Sequence, residues 1–210
     1  PRGVLYLHNS AGPTAFSTED RECAETFARY VEPLVDRLLL RASQAAPDPT
    51  ATFRASLRVD HVIGRSPALA AVLQQVVVVS QLEVAVLLTG ASGTGKTQIA
   101  RAIHDNGPRA RHPFVAINCA TLPDTLIESE LFGAMPGAHS TATRRMEGKV
   151  AAAEDGTLFL DEISDLAPTA QGKLLQLLQS LEYSPLGSSK LLRASVRVIT
   201  ATNTDLQVAV

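Results

Sequence analysis

The residues best suited to chemistry are Gly90-Ala91-Ser92-Gly93-Thr94-Gly95-Lys96-Thr97, which fit the pattern G-x-x-x-x-G-K-[ST]. Each residue type has a physical reason. Glycines let the backbone curl until successive N–H groups point inward at phosphate oxygens. The helix that follows adds its positive N-terminal end. A lysine at Lys96 reaches the β- and γ-phosphates, and a hydroxyl at Thr97 binds Mg²⁺. The run follows an apolar stretch, Val84–Leu88, and opens a helical pattern, which is the strand–loop–helix context this chemistry requires. The expected ligand is ATP, or a closely similar nucleoside triphosphate, with Mg²⁺.

Two further runs end in polar residues. In Thr157-Leu-Phe-Leu-Asp161-Glu162 a buried strand precedes two acids, which therefore emerge at the carboxyl end of a sheet, where open α/β folds bind ligands. Asp161 would support Mg²⁺ and Glu162 would polarise an attacking water. In Val198-Ile-Thr-Ala-Thr202-Asn203 the terminal Asn203 could sense a γ-phosphate or position water. Taken alone, each run also reads as an ordinary solvated strand end. Downstream of a phosphate loop, the acid pair gains meaning.

These residues need a scaffold. Strands are expected at 84–89, 114–118, 157–161 and 196–201, and helices at 66–80, 96–105, 123–131, 146–153 and 169–182. The strands are short, rich in Val, Ile and Leu, and not alternating, as in a parallel sheet covered on both faces. The expected class is α/β, with a three-layer P-loop domain preceded by a partial α+β piece. In that piece residues 3–8 read as a strand and residues 9–13 as a turn. Ser17 then caps a helix running to about Arg41, with Asp20 completing a capping box. Pro33 should kink or split this helix. Residues 42–57, small and Pro-containing, read as a linker.

Composition excludes several functions. A net charge of −2 offers no basic face for gripping DNA. Cys23 and Cys119 have no metal-ligand spacing and read as reduced thiols. No apolar run approaches the ~20 residues of a membrane helix, and the start has no signal-peptide pattern. A cytoplasmic protein is expected. Both ends, Pro-Arg-Gly-Val-Leu and Leu206-Gln-Val-Ala-Val210, read as cuts through a longer chain.

Together the motifs resemble the AAA+ ATPases that activate transcription with sigma-54 RNA polymerase, the bacterial enhancer-binding proteins. The resemblance runs from His61-Val62-Ile63-Gly64 to Asn203-Thr-Asp-Leu206. It includes the phosphate loop, Phe114-Val-Ala-Ile-Asn-Cys-Ala120, Leu126-Ile-Glu-Ser-Glu-Leu-Phe-Gly133, Asp155-Gly-Thr-Leu-Phe-Leu-Asp-Glu162 and Val196-Arg-Val-Ile-Thr-Ala-Thr-Asn203. The Glu-Ser-Glu-Leu-Phe-Gly run is particular to that family. The resemblance implies an adenine pocket lined by Val62, Ile63 and Gly64, a switch at Asn118 that holds Glu162 inactive until the partner engages, and a first sensor at Asn203. It also implies hydrolysis between neighbouring subunits of a hexamer-like ring, and remodelling of the closed promoter complex. Arginine fingers, a helical lid and a DNA-binding helix-turn-helix would lie beyond Val210, so poor activity is expected of this stretch alone. Residues 1–41 resemble the tail of a GAF sensory domain.

The family's sigma-contacting loop reads Gly-Ala-Phe-Thr-Gly-Ala. Here the corresponding stretch is Gly137-Ala138-His139-Ser140-Thr141-Ala142. The hydroxyl is kept, the aromatic ring becomes a polar one, and a glycine's freedom is lost. Two functional readings follow. One is an ATP-driven activator in residues 58–210. The other is a nucleotide-responsive regulatory module that no longer contacts sigma-54. An inert truncation product is a third.

Overall fold

The computed structural model describes residues 16–45, 47–138 and 144–204. The chain forms two compact units, divided between Asp48 and Pro49.

The described part of the first unit is dominated by one helix, α1 (Thr18–Ala45). Its start is a closed capping box. Asp20 N–H donates to Ser17 Oγ at 3.1 Å, and Ser17 N–H donates to Asp20 Oδ2 at 2.8 Å. The Ser17 hydroxyl, which donates to Asp20 Oδ2 at 2.6 Å, and the Ser17 N–H hold the Asp20 carboxyl below its usual range. The helix is not split at Pro33, which lies inside it. Phe27, Leu34 and Leu38 form an exposed apolar stripe along it. The expected strand at residues 3–8 lies outside the described residues.

Most of the expected linker is helical. Residues 42–45 continue α1, and Ala51–Ser56 form α2, which belongs to the second unit. Thr50, just ahead of α2, is fully buried.

The second unit is built on a four-stranded parallel sheet. Its strands are β1 (Val86–Thr89), β2 (Phe114–Asn118), β3 (Thr157–Asp161) and β6 (Arg197–Thr202), in the spatial order β1-β6-β3-β2. The last strand in sequence is thus inserted between the first and the third. A short antiparallel pair, β4 (Glu182–Tyr183) with β5 (Leu192–Arg193), stands apart from the sheet.

Helices α3 (Pro67–Ser80) and α4 (Lys96–Asp105) cover one face of the sheet. Leu73, Val76, Ala100 and Ile103 pack there on Phe159, Ile199 and Ala201. Helices α5 (Asp124–Phe132), α6 (Lys149–Ala152) and α7 (Pro168–Ser180) lie on the other face. Ile127, Leu131, Val150 and Leu174 pack there on Leu158, Leu160 and Val198. Alternate residues of β3 and β6 thus feed opposite cores, which explains why these strands are apolar throughout. β1 differs. It lies at the sheet edge and its residues are alternately half-buried and exposed, with Leu87 47% exposed.

The amino end of the sheet is tied by two arginines, Arg197 buried and Arg109 half-buried. Arg197 donates through Nη1 to Ser80 O at 3.2 Å and through Nη2 to Val79 O at 2.7 Å, capping the end of α3. Arg109 donates to Ser195 O at 2.8 Å and pairs with Glu83 at 2.7 Å. At Gly156 any Cβ would overlap the Pro113 carbonyl, so a side chain there would push β2 and β3 apart.

Candidate active site

All four sheet strands run the same way, so their carboxyl ends meet on one edge, and the chemistry-bearing residues gather there. The phosphate loop leaves β1 at Thr89. Gly90 N–H donates to Thr202 O at 3.2 Å, fastening the loop to the end of β6. Gly93 and Gly95 adopt φ of +79° and +87°, and a Cβ at either would meet no atom within 4 Å. Glycine is required there by backbone conformation, not by space. Thr94 closes the turn onto Ala91 O through its N–H at 3.3 Å and its hydroxyl at 2.8 Å. Gly95 is the N-cap of α4, so the unpaired N–H groups of the first helical turn open into the loop. Lys96 Nζ is folded back onto the loop, donating to Gly90 O at 2.9 Å and Ala91 O at 3.3 Å. Thr97 is exposed on the first turn of α4.

Across β6 stands the acid pair. Asp161 ends β3, in register with Asn118 at the end of β2. Glu162 follows in the left-handed region at φ +50°, an uncommon conformation for a non-glycine residue. Its N–H donates to Asp161 Oδ1 at 3.1 Å. Its carboxylate faces two partners: Lys96 Nζ at 3.7 Å and the backbone N–H of Asn203 at 3.1 Å. The fold therefore brings Lys96, Glu162 and Asn203 together. Asn118 Oδ1 accepts from Ala120 N–H at 2.9 Å, capping the 3-10 turn Cys119–Thr121. Burial, reinforced by the charges of Asp161 and Asp165, pushes the Cys119 thiol up to about 11, so it stays protonated and unreactive.

No group of three or more His, Cys, Asp or Glu able to hold a metal occurs among the described residues. A divalent cation at this edge would thus rely on the Thr97 hydroxyl, the Asp161 carboxylate and oxygens supplied by a bound ligand. That donor set, one hydroxyl and one carboxylate beside an open phosphate cradle, suits Mg²⁺.

Residues 61–64 lie beside the phosphate-loop helix. His61 Nε2 is 3.0 Å from Gln98 O on α4. Val62 is buried in the core, while Ile63 is 94% exposed. Gly64 has φ +131°, and its carbonyl accepts from Arg54 Nη2 at 2.7 Å.

The family profile described as the sigma-54 interaction domain matches residues 62–210. The chain belongs to the sigma-54 interaction domain family. It is 46% identical over 177 residues to a Nif-specific regulatory protein of Bradyrhizobium diazoefficiens, covering 84% of this chain and 30% of that protein. It is 40% identical over 203 residues to the transcriptional regulatory protein GlrR of Escherichia coli K12, covering 97% of this chain and 45% of that protein. The chain thus spans less than half the length of these curated relatives. Among solved structures it resembles NtrX from Brucella abortus in complex with ADP, with TM-score 0.65, 32% identity, and coverage of 83% of this chain and 37% of that one. It also resembles NtrX in complex with ATP, with TM-score 0.65, 33% identity, and coverage of 82% and 37%. The fold is that of a parallel-sheet P-loop NTPase, as expected.

The Glu-Ser-Glu-Leu-Phe-Gly run of this sigma-54 interaction domain anchors a loop. Leu131 and Phe132 are buried, and so is Ser129, whose hydroxyl donates to Leu126 O at 2.8 Å. Glu128 pairs with Lys173 at 3.1 Å and Glu130 with Lys149 at 3.8 Å. Burial pushes the Glu128 carboxyl up, but hydrogen bonds from Thr169 and Lys173 and the lysine charge outweigh it, leaving the group below its usual range. Gly133 and Gly148 then meet backbone to backbone, and a Cβ on Gly148 would overlap Gly133 N. Ala134 and Met146 exchange hydrogen bonds of 3.0 and 2.8 Å, and Met135 N–H donates to Leu186 O at 2.9 Å. Pro136 and Gly137 form a turn, closed by Ala138 N–H donating to Met135 O at 3.1 Å. His139, Ser140, Thr141 and Ala142 lie outside the described residues.

Several positioning contacts escaped the sequence reading. Among them are Arg54 on Gly64, the hydroxyls of Ser164, Thr202 and Thr204, and helix α2. No local pattern marks such contacts, because each joins residues far apart in the chain or of unremarkable type. The run of apolar and helix-favouring residues at 51–57 could have revealed α2.

Proposed function

We propose that this chain is the ATP-binding and ATP-hydrolysing module of a sigma-54-dependent transcriptional regulator, coupling hydrolysis to remodelling of the RNA polymerase closed complex. The observation that carries the proposal is the convergence of Lys96, Glu162 and Asn203 beside a glycine-rich phosphate cradle. The similarity to NtrX, whose structures hold ADP and ATP, supports the nucleotide.

In this reading the loop from Gly90 to Thr97, including Ala91, Ser92 and Thr94, wraps the phosphates with backbone N–H groups. Lys96 leaves its loop carbonyls for the β- and γ-phosphates. Thr97 and Asp161 hold Mg²⁺, which when bound neutralises charge on the phosphate oxygens. Glu162 orients and polarises the attacking water, and Asn203 positions that water against the γ-phosphate. Val62, Ile63 and Gly64 receive the base. Asn118 acts as the switch on Glu162.

Residues 137–142 make the contact to sigma-54. The active form is a homo-oligomeric ring in the cytoplasm. It binds DNA through a helix-turn-helix outside this chain. Residues 1–41 end a GAF-like sensory domain, and 58–210 carry the ATPase.

The test is ATPase activity of the full-length protein. Activity abolished by Lys96→Ala and Glu162→Gln supports the mechanism; activity that survives both variants refutes it. A second reading, a nucleotide-responsive module without sigma-54 contact, rests on His139 and Thr141 in the contact loop. Cross-linking to sigma-54 with an ATP transition-state analogue separates the two.

A further inference from the structure

Between the acid turn after β3 and the end of β6 lies a cluster of three hydroxyls that the proposed mechanism does not use. Thr202 Oγ1 is 3.2 Å from Ser164 Oγ, and Ser164 Oγ is 3.3 Å from Thr204 Oγ1. Thr204 Oγ1 is in turn 3.2 Å from Asn203 Oδ1. The Thr204 N–H donates to Thr202 Oγ1 at 3.0 Å, closing the cluster into a ring.

A hydroxyl carries one proton, and an amide oxygen carries none. The contact between Thr204 and Asn203 Oδ1 therefore spends the Thr204 proton. Ser164 Oγ accepts from Thr202 and gives its own proton to Asp165 Oδ1 at 3.4 Å, so it faces Thr204 as an acceptor at 3.3 Å. Thr204, whose nearer acceptor is the amide at 3.2 Å, is the donor that ends on the amide oxygen of Asn203, with Ser164 against its other side. The backbone N–H of Asn203 is already committed to Glu162 Oε2 at 3.1 Å. Asn203 is thus fixed at two points, and the donors its side chain presents are the two Nδ2 hydrogens.

We infer that Thr204 and Ser164 are positioning residues that set the side-chain amide of Asn203, so that its Nδ2 hydrogens, and not its oxygen, meet the γ-phosphate or the attacking water. The inference rests on the ATPase reading above. The chemistry is consistent. A phosphoryl oxygen and a water lone pair both require a donor, and an amide turned the other way would present an acceptor to a negatively charged group. The Ser164 hydroxyl also links this ring to Asp165, whose Oδ1 is 3.4 Å away, so the amide is held from the turn that carries Glu162.

The experiment measures kcat and KM for ATP in the full-length protein. Thr204→Val keeps the size and removes the proton. It should lower kcat about tenfold while KM stays within about twofold, because orientation of a bound reactant is lost and not its binding. Thr204→Ser, which restores the hydroxyl, should recover most of the rate. Thr204→Val should add nothing to Asn203→Ala, because its effect passes through that amide. An unchanged kcat in Thr204→Val overturns the inference, as does a full further loss in the double variant.

If the wild-type protein hydrolyses no ATP, the ATPase reading fails, and the ring is judged by a second readout. The Asn203 side-chain amide signals in a ¹H–¹⁵N spectrum should shift in Thr204→Val and return in Thr204→Ser. Signals identical in all three proteins overturn the positioning role.

Discussion

Lys96 Nζ on the phosphate loop lies 3.7 Å from Glu162 Oε1 beyond β3, with the two side chains only 8% and 15% exposed. The lysine that should meet a phosphate is thus partly neutralised by the acid that should polarise water. The pairing predicts an asymmetry. Lys96→Ala should abolish ATP-induced thermal stabilisation, whereas Glu162→Gln should keep it or tighten nucleotide binding by about two- to fivefold, since a competing carboxylate is removed. Titration with a fluorescent ATP analogue checks this, and weaker binding in Glu162→Gln contradicts it.

The pairing of Ala134 with Met146 depends on the contact between Gly133 and Gly148. Gly148→Ala forces a Cβ into the Gly133 backbone, which cannot yield without moving α5. A loss of about 3 kcal/mol is expected in urea unfolding. At Gly137, where φ is +82° and no atom lies within 4 Å of a Cβ, alanine should meet only backbone strain and cost about 1 kcal/mol.

His104 makes the stability depend on pH. Its Nδ1 is 2.9 Å from Thr157 Oγ1, and burial holds its pKa below the ordinary 6.5. The unfolded chain therefore takes up the proton first as pH falls. The stability held by neutral His104 is complete above about pH 6.5 and drains away as pH drops toward the lower folded value. Denaturant midpoints at pH 7.5 and 5.5 should differ less in His104→Gln than in the wild type.

Arg197 is buried, with its guanidinium on the last carbonyls of α3 and its Nε without a partner among the described residues. Arg197→Ala leaves the Val79 and Ser80 carbonyls without those donors and opens a void, at a cost of about 3 kcal/mol in thermal unfolding. Arg197→Met, which refills the volume, should lose clearly less. Equal losses would locate the effect in the hydrogen bonds alone.

The sequence by itself determined much of the chemistry. The eight residues from Gly90 to Thr97 carry their own geometry, because positive φ at Gly93 and Gly95 and a helix starting at Lys96 are local properties. All four sheet strands were legible for a related reason. Strands buried on both faces are apolar throughout, and Thr157–Asp161 and Arg197–Thr202 are such strands. Local patterning failed where tertiary contacts took over. The strands β4 and β5, two residues each, are too brief to show a period.

What only the tertiary structure decided is strand order. Nothing local says that β6 runs between β1 and β3, yet that insertion puts Asn203 at the end of the strand between β1, which feeds the phosphate loop, and β3, which carries the acid pair. It also brings Thr202 and Thr204 within hydrogen-bonding range of Ser164, and the Asn203 N–H onto Glu162. Hydrogen bonds between residues some forty positions apart are fixed by register across a sheet, and register emerges only when both faces are packed.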